Sequence, residues 1–362
     1  MGTLTTAGYR EKTSIFKRMN PMAEERGSIY PQSAFFGSDP ANSSDPYCQR
    51  KVLALNDIEF SEDEDWEEVR NLKRMPKTIL NEENLKEYLN EETLRLNLEN
   101  HYWLKNSIID KIGRMAPNMQ VLSLRRMKFI TNPVFAQIFK YMTQLKRIDL
   151  TDCEGLLPTA TCLLIDNNRT LSHVQLSGCT NGVDDEVLRN IATHLTESLN
   201  FMDISYCKQV TDAGLAHFRG KTYPLDSLMI NGCNGISGQG LKQMLVSFKD
   251  TLLDLEVALN DQPIFNCSFF ETLGQCFNLE TLDVAGSNDI SDEGGRLISA
   301  AQVTVGSETI KPGLQSMHTL KLAGATLGDA SIPMVTKTMP NLEHVELIKC
   351  EGVGEFGINN FL

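Results

Sequence analysis

The feature of this sequence that most restricts its fold is an apolar phrase, L-x-x-L-x-L, which recurs ten times. The copies begin at Thr93, Met119, Leu145, Leu171, Leu199, Leu225, Leu252, Leu279, Met317 and Leu342. The steps between these positions are 26, 26, 26, 28, 26, 27, 27, 38 and 25 residues. One copy is too short to cover its own apolar side, so this period predicts that the copies stack into a solenoid with a continuous core.

The copy from Leu199 to Pro224 shows what each unit contributes. Met202 and Ile204 alternate as inward residues of a strand, and Asn200, Phe201, Asp203 and Ser205 are expected to face outward. Thr211 is a candidate N-cap of a helix, and Leu215 begins the apolar face of that helix. We therefore predict an α/β solenoid, or horseshoe, of about ten repeats, with a parallel sheet on the concave face and helices on the convex face.

The ninth position of the copies is rich in cysteine. It holds His101, Met127, Cys153, Cys179, Cys207, Cys233, Asn260, Ser287, Ala325 and Cys350. Such a column could be a metal or redox ladder, but the sequence contains no C-x-x-C pair and no His–Cys cluster with zinc-ligand spacing. The favoured interpretation is structural: a small, weakly polar side chain that turns inward and meets the backbone of the loop.

This pattern resembles a known family. The combination L-x-x-L-x-L-x-x-C followed by I/V-T/S-D-x-G-L, clearest from Leu199 through Cys207 to Leu215, is similar to the cysteine-containing class of leucine-rich repeats. The resemblance covers about three-quarters of the chain. It implies kinship with F-box/leucine-rich-repeat proteins, with mitotic-exit regulators and with axonemal regulatory subunits, although no recognisable F-box block precedes the repeats.

Composition and motifs restrict the function classes. The net charge is −13, which disfavours nucleic acid as a partner and favours a protein with a basic surface. No run of 18 apolar residues predicts a membrane span, and nine cysteines without a secretory signal predict reduced thiols, as in the cytoplasm. The resemblance to axonemal subunits implies the cytoskeleton or cilium as a further expected location. No phosphate-loop, zinc-protease or nucleophile-elbow motif is found. We therefore expect no enzyme activity, no cofactor, no metal and no small-molecule substrate.

The chain divides into three predicted segments. Residues 1–78 form an extended or disordered arm, which includes an acidic stretch around Trp66 in which eight of the twelve residues from Asp57 to Glu68 are acidic. Residues 79–92 are predicted to form a capping helix. Residues 93–362 form the solenoid, with an insertion near 303–313 that accounts for the 38-residue step.

The outward strand positions predict a protein-binding surface. Aromatic and apolar residues ringed by carboxylates are typical of a binding hot spot. The residues assigned to partner binding are Phe201, Asp203, Tyr206, Met229, Asp149, Glu256 and Trp66. The leading hypothesis is a non-enzymatic scaffold in a larger intracellular assembly, such as a cytoskeletal or axonemal one. The alternative is the substrate-recognition subunit of an SCF-type ubiquitin ligase.

Overall fold

The computed structural model describes the greater part of the repeat region. The described residues are 53–54, 89–99, 101, 104–258, 267–285, 302–305, 308–312, 314–323, 328–329, 339–348 and 354. All of them belong to the compact unit Gln49–Leu362. The acidic stretch, Trp66 and residues 79–88 of the expected capping helix lie outside the described residues.

Ten parallel strands in one sheet confirm the ten predicted copies, each of which is called a rung below. The strands are β2 Arg95–Asn97, β3 Val121–Ser123, β4 Arg147–Asp149, β5 His173–Gln175, β6 Phe201–Asp203, β7 Ser227–Met229, β8 Asp254–Glu256, β9 Thr281–Asp283, β12 Thr319–Ala323 and β13 His344–Ile348. Every strand begins two residues after the first residue of its copy. The parallel pairs are in register, so equivalent positions of neighbouring rungs lie side by side.

Helices follow most of these strands and pack on one side of the sheet. They are α1 Asn106–Met115, α2 Asn132–Tyr141, α3 Pro158–Asn167, α4 Asp185–His194, α5 Asp212–Leu215, α6 Gly238–Leu245 and α7 Cys267–Leu273. A single 3₁₀ turn, Ala216–Phe218, extends α5. Proline occupies the first turn of α2 and of α3, where its missing N–H has no intrahelical partner to lose.

The core lies between the sheet and the helices. From β2 to β9 the second residue of every strand is at most 2% exposed, which leaves the first and third residues on the other face. Buried phenylalanines from the helical side, such as Phe135 and Phe218, fill the space opposite these strands. Because each rung buries its apolar side against its neighbours, truncating a buried strand leucine to alanine lowers the free energy of unfolding by about 2–5 kcal/mol.

Polar contacts at the helix starts connect three successive rungs. Thr211 caps its own helix by accepting from the N–H of Ala213, and its own N–H donates to Asp185 of the preceding rung at 2.8 Å. Ser237 donates in the same way to Asp212, also at 2.8 Å. A glycine in the following turn leaves room for that carboxylate. A Cβ on Gly214, for example, would lie 2.5 Å from Asp185 Oδ1.

The cysteine column has the structural role predicted for it. The thiols of Cys153, Cys179, Cys207 and Cys233 each donate to a backbone carbonyl of the preceding rung, over 3.0–3.3 Å. All four side chains are buried. Burial raises the pKa of Cys179 and of Cys233 to about 12, so these thiols stay protonated and act as donors. Cys350 lies outside the described residues.

Short strands that do not belong to the rungs occur at two places in the chain. Strand β1, Leu53–Ala54, comes from the predicted arm and pairs antiparallel with β2, so that it covers the first edge of the sheet. The insertion contains an antiparallel hairpin of β10, Gln302–Val305, and β11, Glu308–Pro312. Residues 89–92 form a turn instead of the end of the expected capping helix, because Asn90 accepts from the backbone N–H of Glu92 and of Thr93.

Within the described part of the chain, no helix combines the length and apolar character that crossing a membrane requires.

Candidate protein-binding face

The face of the sheet turned away from the helices carries most of the predicted partner-binding residues. We call the first and third residues of strands β4 to β9 the open face. The register places Asp203 beside Met229 and Met229 beside Glu256 in one row. Neighbouring strands are about 4.8 Å apart, so this row of three spans about 10 Å. All three side chains are half-buried. The sequence therefore predicted which residues the sheet brings together here.

An aromatic pair occupies the parallel row of the open face. Phe201 lies beside His173 of the preceding strand, with ring centroids 5.8 Å apart and ring planes within 5° of each other. The Ser172 hydroxyl lies 2.9 Å from His173 Nδ1 and fixes the orientation of the imidazole. Burial, with a contribution from Arg147, lowers the pKa of His173 to about 4. The pair is therefore a flat, uncharged platform at neutral pH.

Two carboxyl groups beside this platform are held in an environment that disfavours their charge. Burial raises the pKa of Asp203 to about 6, and Glu256 and Asp149 add to the effect. Burial and the neighbouring Asp254 raise the pKa of Asp226 to about 6 as well. Acidic groups gathered on a half-buried surface are stabilised when a cation approaches them. This part of the open face is therefore complementary to a basic ligand group.

The structure corrects the exposure expected for two outward residues. Asp149 is only 1% exposed: its carboxylate accepts from the N–H of Thr151 at 2.9 Å, and the hydroxyl of Ser123 lies 3.5 Å from its other oxygen. It closes the turn at the end of its strand and offers no surface to a partner. Ser205, expected to face outward, is 3% exposed. Asp203 makes the same kind of turn, accepting from the N–H of Ser205, but remains half-buried.

Tyr206 adopts a backbone conformation that is uncommon for a bulky residue. Its φ is +61°, and the equivalent position of the next rung is Gly232, with φ +64°. The Tyr206 ring lies over that glycine, since a Cβ on Gly232 would lie 2.5 Å from the ring. Arg126, Asp152 and Gly178, at the equivalent positions of the three preceding rungs, also have a positive φ, from 59° to 72°, so this conformation belongs to the turn that follows each of these strands. The rung stacking fixes this ring at the end of the strand that carries Phe201 and Asp203.

Comparison with known proteins gives a consistent result. The Leucine Rich repeat family model matches residues 275–299, around the eighth copy. Ten in-register parallel strands at the predicted period have the arrangement of a leucine-rich-repeat solenoid. The chain has a leucine-rich-repeat fold.

Individual proteins that the chain resembles are distant in sequence. F-box/LRR-repeat protein 4 of Bos taurus is 26% identical over 142 residues, which are 39% of this chain and 22% of the length of that protein. The crystal structure of the Rad7 and Elc1 complex in yeast contains a chain with a TM-score of 0.43 and 14% identity, over 98% of this chain and 95% of that one. LegL7 from Legionella pneumophila has a TM-score of 0.42 and 13% identity, over 74% and 88% of the two chains.

Three further residues, His173 on the open face and Asn231 and Asp226 next to it, were missed by sequence reasoning. His173 was assigned no role, because the pairing of its ring with Phe201 depends on the register between rungs. Asn231 donates to Glu256 at 3.0 Å and accepts from the N–H of Ala258 at 2.7 Å, and so holds the carboxylate in place. Asp226 precedes its strand and was read as part of the L-x-x spacer. The signal available for Asn231 was its position, two residues after the outward Met229.

Among the residues that the structure describes, no group of three or more His, Cys, Asp or Glu side chains is arranged to hold a metal ion. What the open face offers instead is a set of binding groups: two stacked rings, a thioether, a tyrosine and carboxylates. Leucine-rich-repeat solenoids present extended surfaces of this kind to other macromolecules. The arrangement suits recognition of a protein surface or segment.

Proposed function

We propose that this chain is a non-enzymatic scaffold that holds a protein partner on the open face, as a subunit of a larger intracellular assembly. The observation that carries the proposal is the half-buried Phe201–His173 platform beside Asp203, Met229 and Glu256. Apolar anchors inside a polar rim are what protein-binding hot spots require. A cytoplasmic location, with a cytoskeletal or ciliary assembly as a special case, belongs to this proposal.

Affinity purification of the full chain from cells, followed by mass spectrometry, tests the proposal. A variant that combines Phe201→Ala, Asp203→Lys and Tyr206→Ala is expected to lose the stoichiometric partner. Phe129→Ala is the matched control, because Phe129 is 71% exposed and lies in the loop between β3 and α2, off the open face. Circular dichroism shows whether each variant stays folded. Retention of the partner by the folded triple variant would contradict the choice of surface.

A second candidate is the substrate-recognition subunit of an SCF-type ubiquitin ligase. The observation that favours it is the 26% identity with F-box/LRR-repeat protein 4 over 142 residues. In this case the full chain would co-purify the adaptor and cullin subunits of such a ligase, and would support ubiquitin transfer to a captured protein when reconstituted with them. Purification of a stable assembly that lacks these subunits favours the scaffold.

A further inference from the structure

We propose that the open face recognises an arginine of its partner, whose guanidinium stacks on Phe201 and donates hydrogen bonds to the carboxylate of Asp203. This inference rests on the proposed function and names the chemistry of the partner. Phe201 and Asp203 are the first and third residues of β6, so their side chains emerge on the same face of the sheet. Two residues along a strand are about 6.6 Å apart, a distance that one guanidinium can bridge.

The shape of the platform favours a planar cation. The rings of Phe201 and His173 are stacked, with their planes 5° apart and their centroids 5.8 Å apart, so the face of Phe201 turned away from His173 is the flat surface offered to a ligand. A guanidinium stacks on aromatic faces and can donate two parallel hydrogen bonds to a carboxylate, whereas an ammonium is a compact and strongly hydrated point charge. The combination of a flat ring with a carboxylate beside it therefore selects arginine over lysine.

The charges along the open face set the side from which the arginine arrives. Arg147 borders His173 on β4, so a second cation is disfavoured there. On the other side of the platform, Asp254 and Glu256 lie on β8, two strands beyond Phe201 and Asp203, and Asp226 precedes β7. The ligand guanidinium is thus directed to the Phe201 side of the pair, toward the acidic rungs.

The residues around Asp203 leave its charge uncompensated. In the described part of the chain, no lysine, arginine or histidine lies within ion-pair distance of the Asp203 carboxylate. Asp283, three rungs further along the same row, differs because Lys321 lies 3.3 Å from it. The low pKa of His173 keeps that ring neutral at pH 7, so it does not repel an incoming guanidinium. Asp203 is therefore the carboxylate next to Phe201 that an external cation can compensate.

A library of random twelve-residue peptides displayed on phage, selected on the immobilised full chain, tests this inference without a known partner. We expect the enriched sequences to share an arginine. The strongest sequence is then synthesised with a fluorophore and with its arginine unchanged, replaced by lysine or replaced by citrulline. Fluorescence anisotropy gives the Kd of each peptide for the wild type and for four variants of the chain.

Asp203→Asn and Phe201→Leu are the test variants, since asparagine keeps the acceptor of the turn and leucine keeps an apolar side chain. Each variant is expected to raise the Kd of the arginine peptide at least tenfold. Asp203→Asn should add little to the loss caused by citrulline, because both changes remove the same ion pair. The controls are Asp166→Asn, on α3, and Phe129→Leu, and neither should change Kd.

Three results would overturn the inference: no peptide enriched above the starting library, enriched peptides without arginine, or lysine peptides that bind as tightly as arginine peptides. If the loss of affinity caused by citrulline and the loss caused by Asp203→Asn were additive, the arginine would bind elsewhere than at Asp203. These outcomes leave the scaffold proposal standing if the cellular partner is still lost in the triple variant. Failure of the affinity purification alone would remove the scaffold and leave the arginine site intact.

Discussion

Neutralising Asp203 should make the protein more stable, and the gain should depend on pH. Burial raises the pKa of this carboxyl from 3.8 to about 6 in the folded chain. Two units of pKa correspond to about 3 kcal/mol, and partial exposure to solvent lowers the expected gain to about 1–2 kcal/mol. Asp203→Asn removes the ionisable group while its amide oxygen can still accept from Ser205. Stabilisation by loss of a charge is typical of a site kept for binding.

The sign of the pH dependence follows from the direction of the shift. Below about pH 4 the group is protonated in both the folded and the unfolded chain, so variant and wild type should have nearly the same free energy of unfolding. Between about pH 4 and pH 6 the unfolded chain releases the proton and the folded chain retains it, so the wild type loses stability and the asparagine variant does not. Above about pH 6 the difference should be constant.

Urea unfolding followed by circular dichroism at pH 4.0 and pH 7.5 measures this difference. The two values lie on either side of the sequence pI of about 5.0, where the protein is least soluble. Urea is required because guanidinium ions would themselves bind near or screen the carboxylate. Asp166→Asn, which removes a half-exposed carboxylate on the helical side, should show no comparable gain. A variant at Asp203 that is less stable than wild type at pH 7.5, or equally shifted at both pH values, would refute the reasoning.

Three other predictions concern the rungs. Gly240→Ala should lower the free energy of unfolding by about 1–3 kcal/mol although alanine favours helices, because its Cβ would overlap the Asp212 carboxylate. In a double-mutant cycle with Asp212→Ala, the two losses should be less than additive. Full additivity would contradict the clash. In the native protein, half-buried Cys162 should react with iodoacetamide before buried Cys179 does. Peptide mass spectrometry measures the order of reaction, and the opposite order would contradict the assigned burial. Tyr206→Gly should change the free energy of unfolding in urea by less than about 1 kcal/mol, because relief of the left-handed backbone offsets the lost packing. The same variant should capture less of the partner protein. Undiminished capture would remove Tyr206 from the binding surface.

The sequence predicted the rungs because its strongest signal, apolar spacing, is local to each strand. The first residue of each copy fixed the start of all ten strands, and Thr211 was recognisable as the residue that begins a helix. The cysteine column was also predictable, since a buried thiol needs only a nearby carbonyl. These features depend on residues a few positions apart, or on burial alone.

What the sequence did not predict are contacts between rungs. The burial of Asp149, the pairing of His173 with Phe201 and the placement of Tyr206 over Gly232 all join residues of different strands or of the turns that close them. A repeat pattern tells which face a side chain occupies, but the neighbour across the ladder is set by register and turn geometry. Polar residues at strand ends were read as surface groups, although aspartate also closes such turns.

The chain of carboxylate contacts along the helix starts has a direction. Asp185 receives the N–H and hydroxyl of Thr211, and Asp212 receives those of Ser237, so the acceptor always precedes the donor in sequence by about one rung. Near the last rung the same relation returns, where the N–H of Gly354 donates to Asp329 at 2.6 Å. During synthesis the acceptor leaves the ribosome first, and each emerging helix start meets a partner that is already in place. In these three pairs, therefore, the rung synthesised first supplies the carboxylate on which the next helix start is placed.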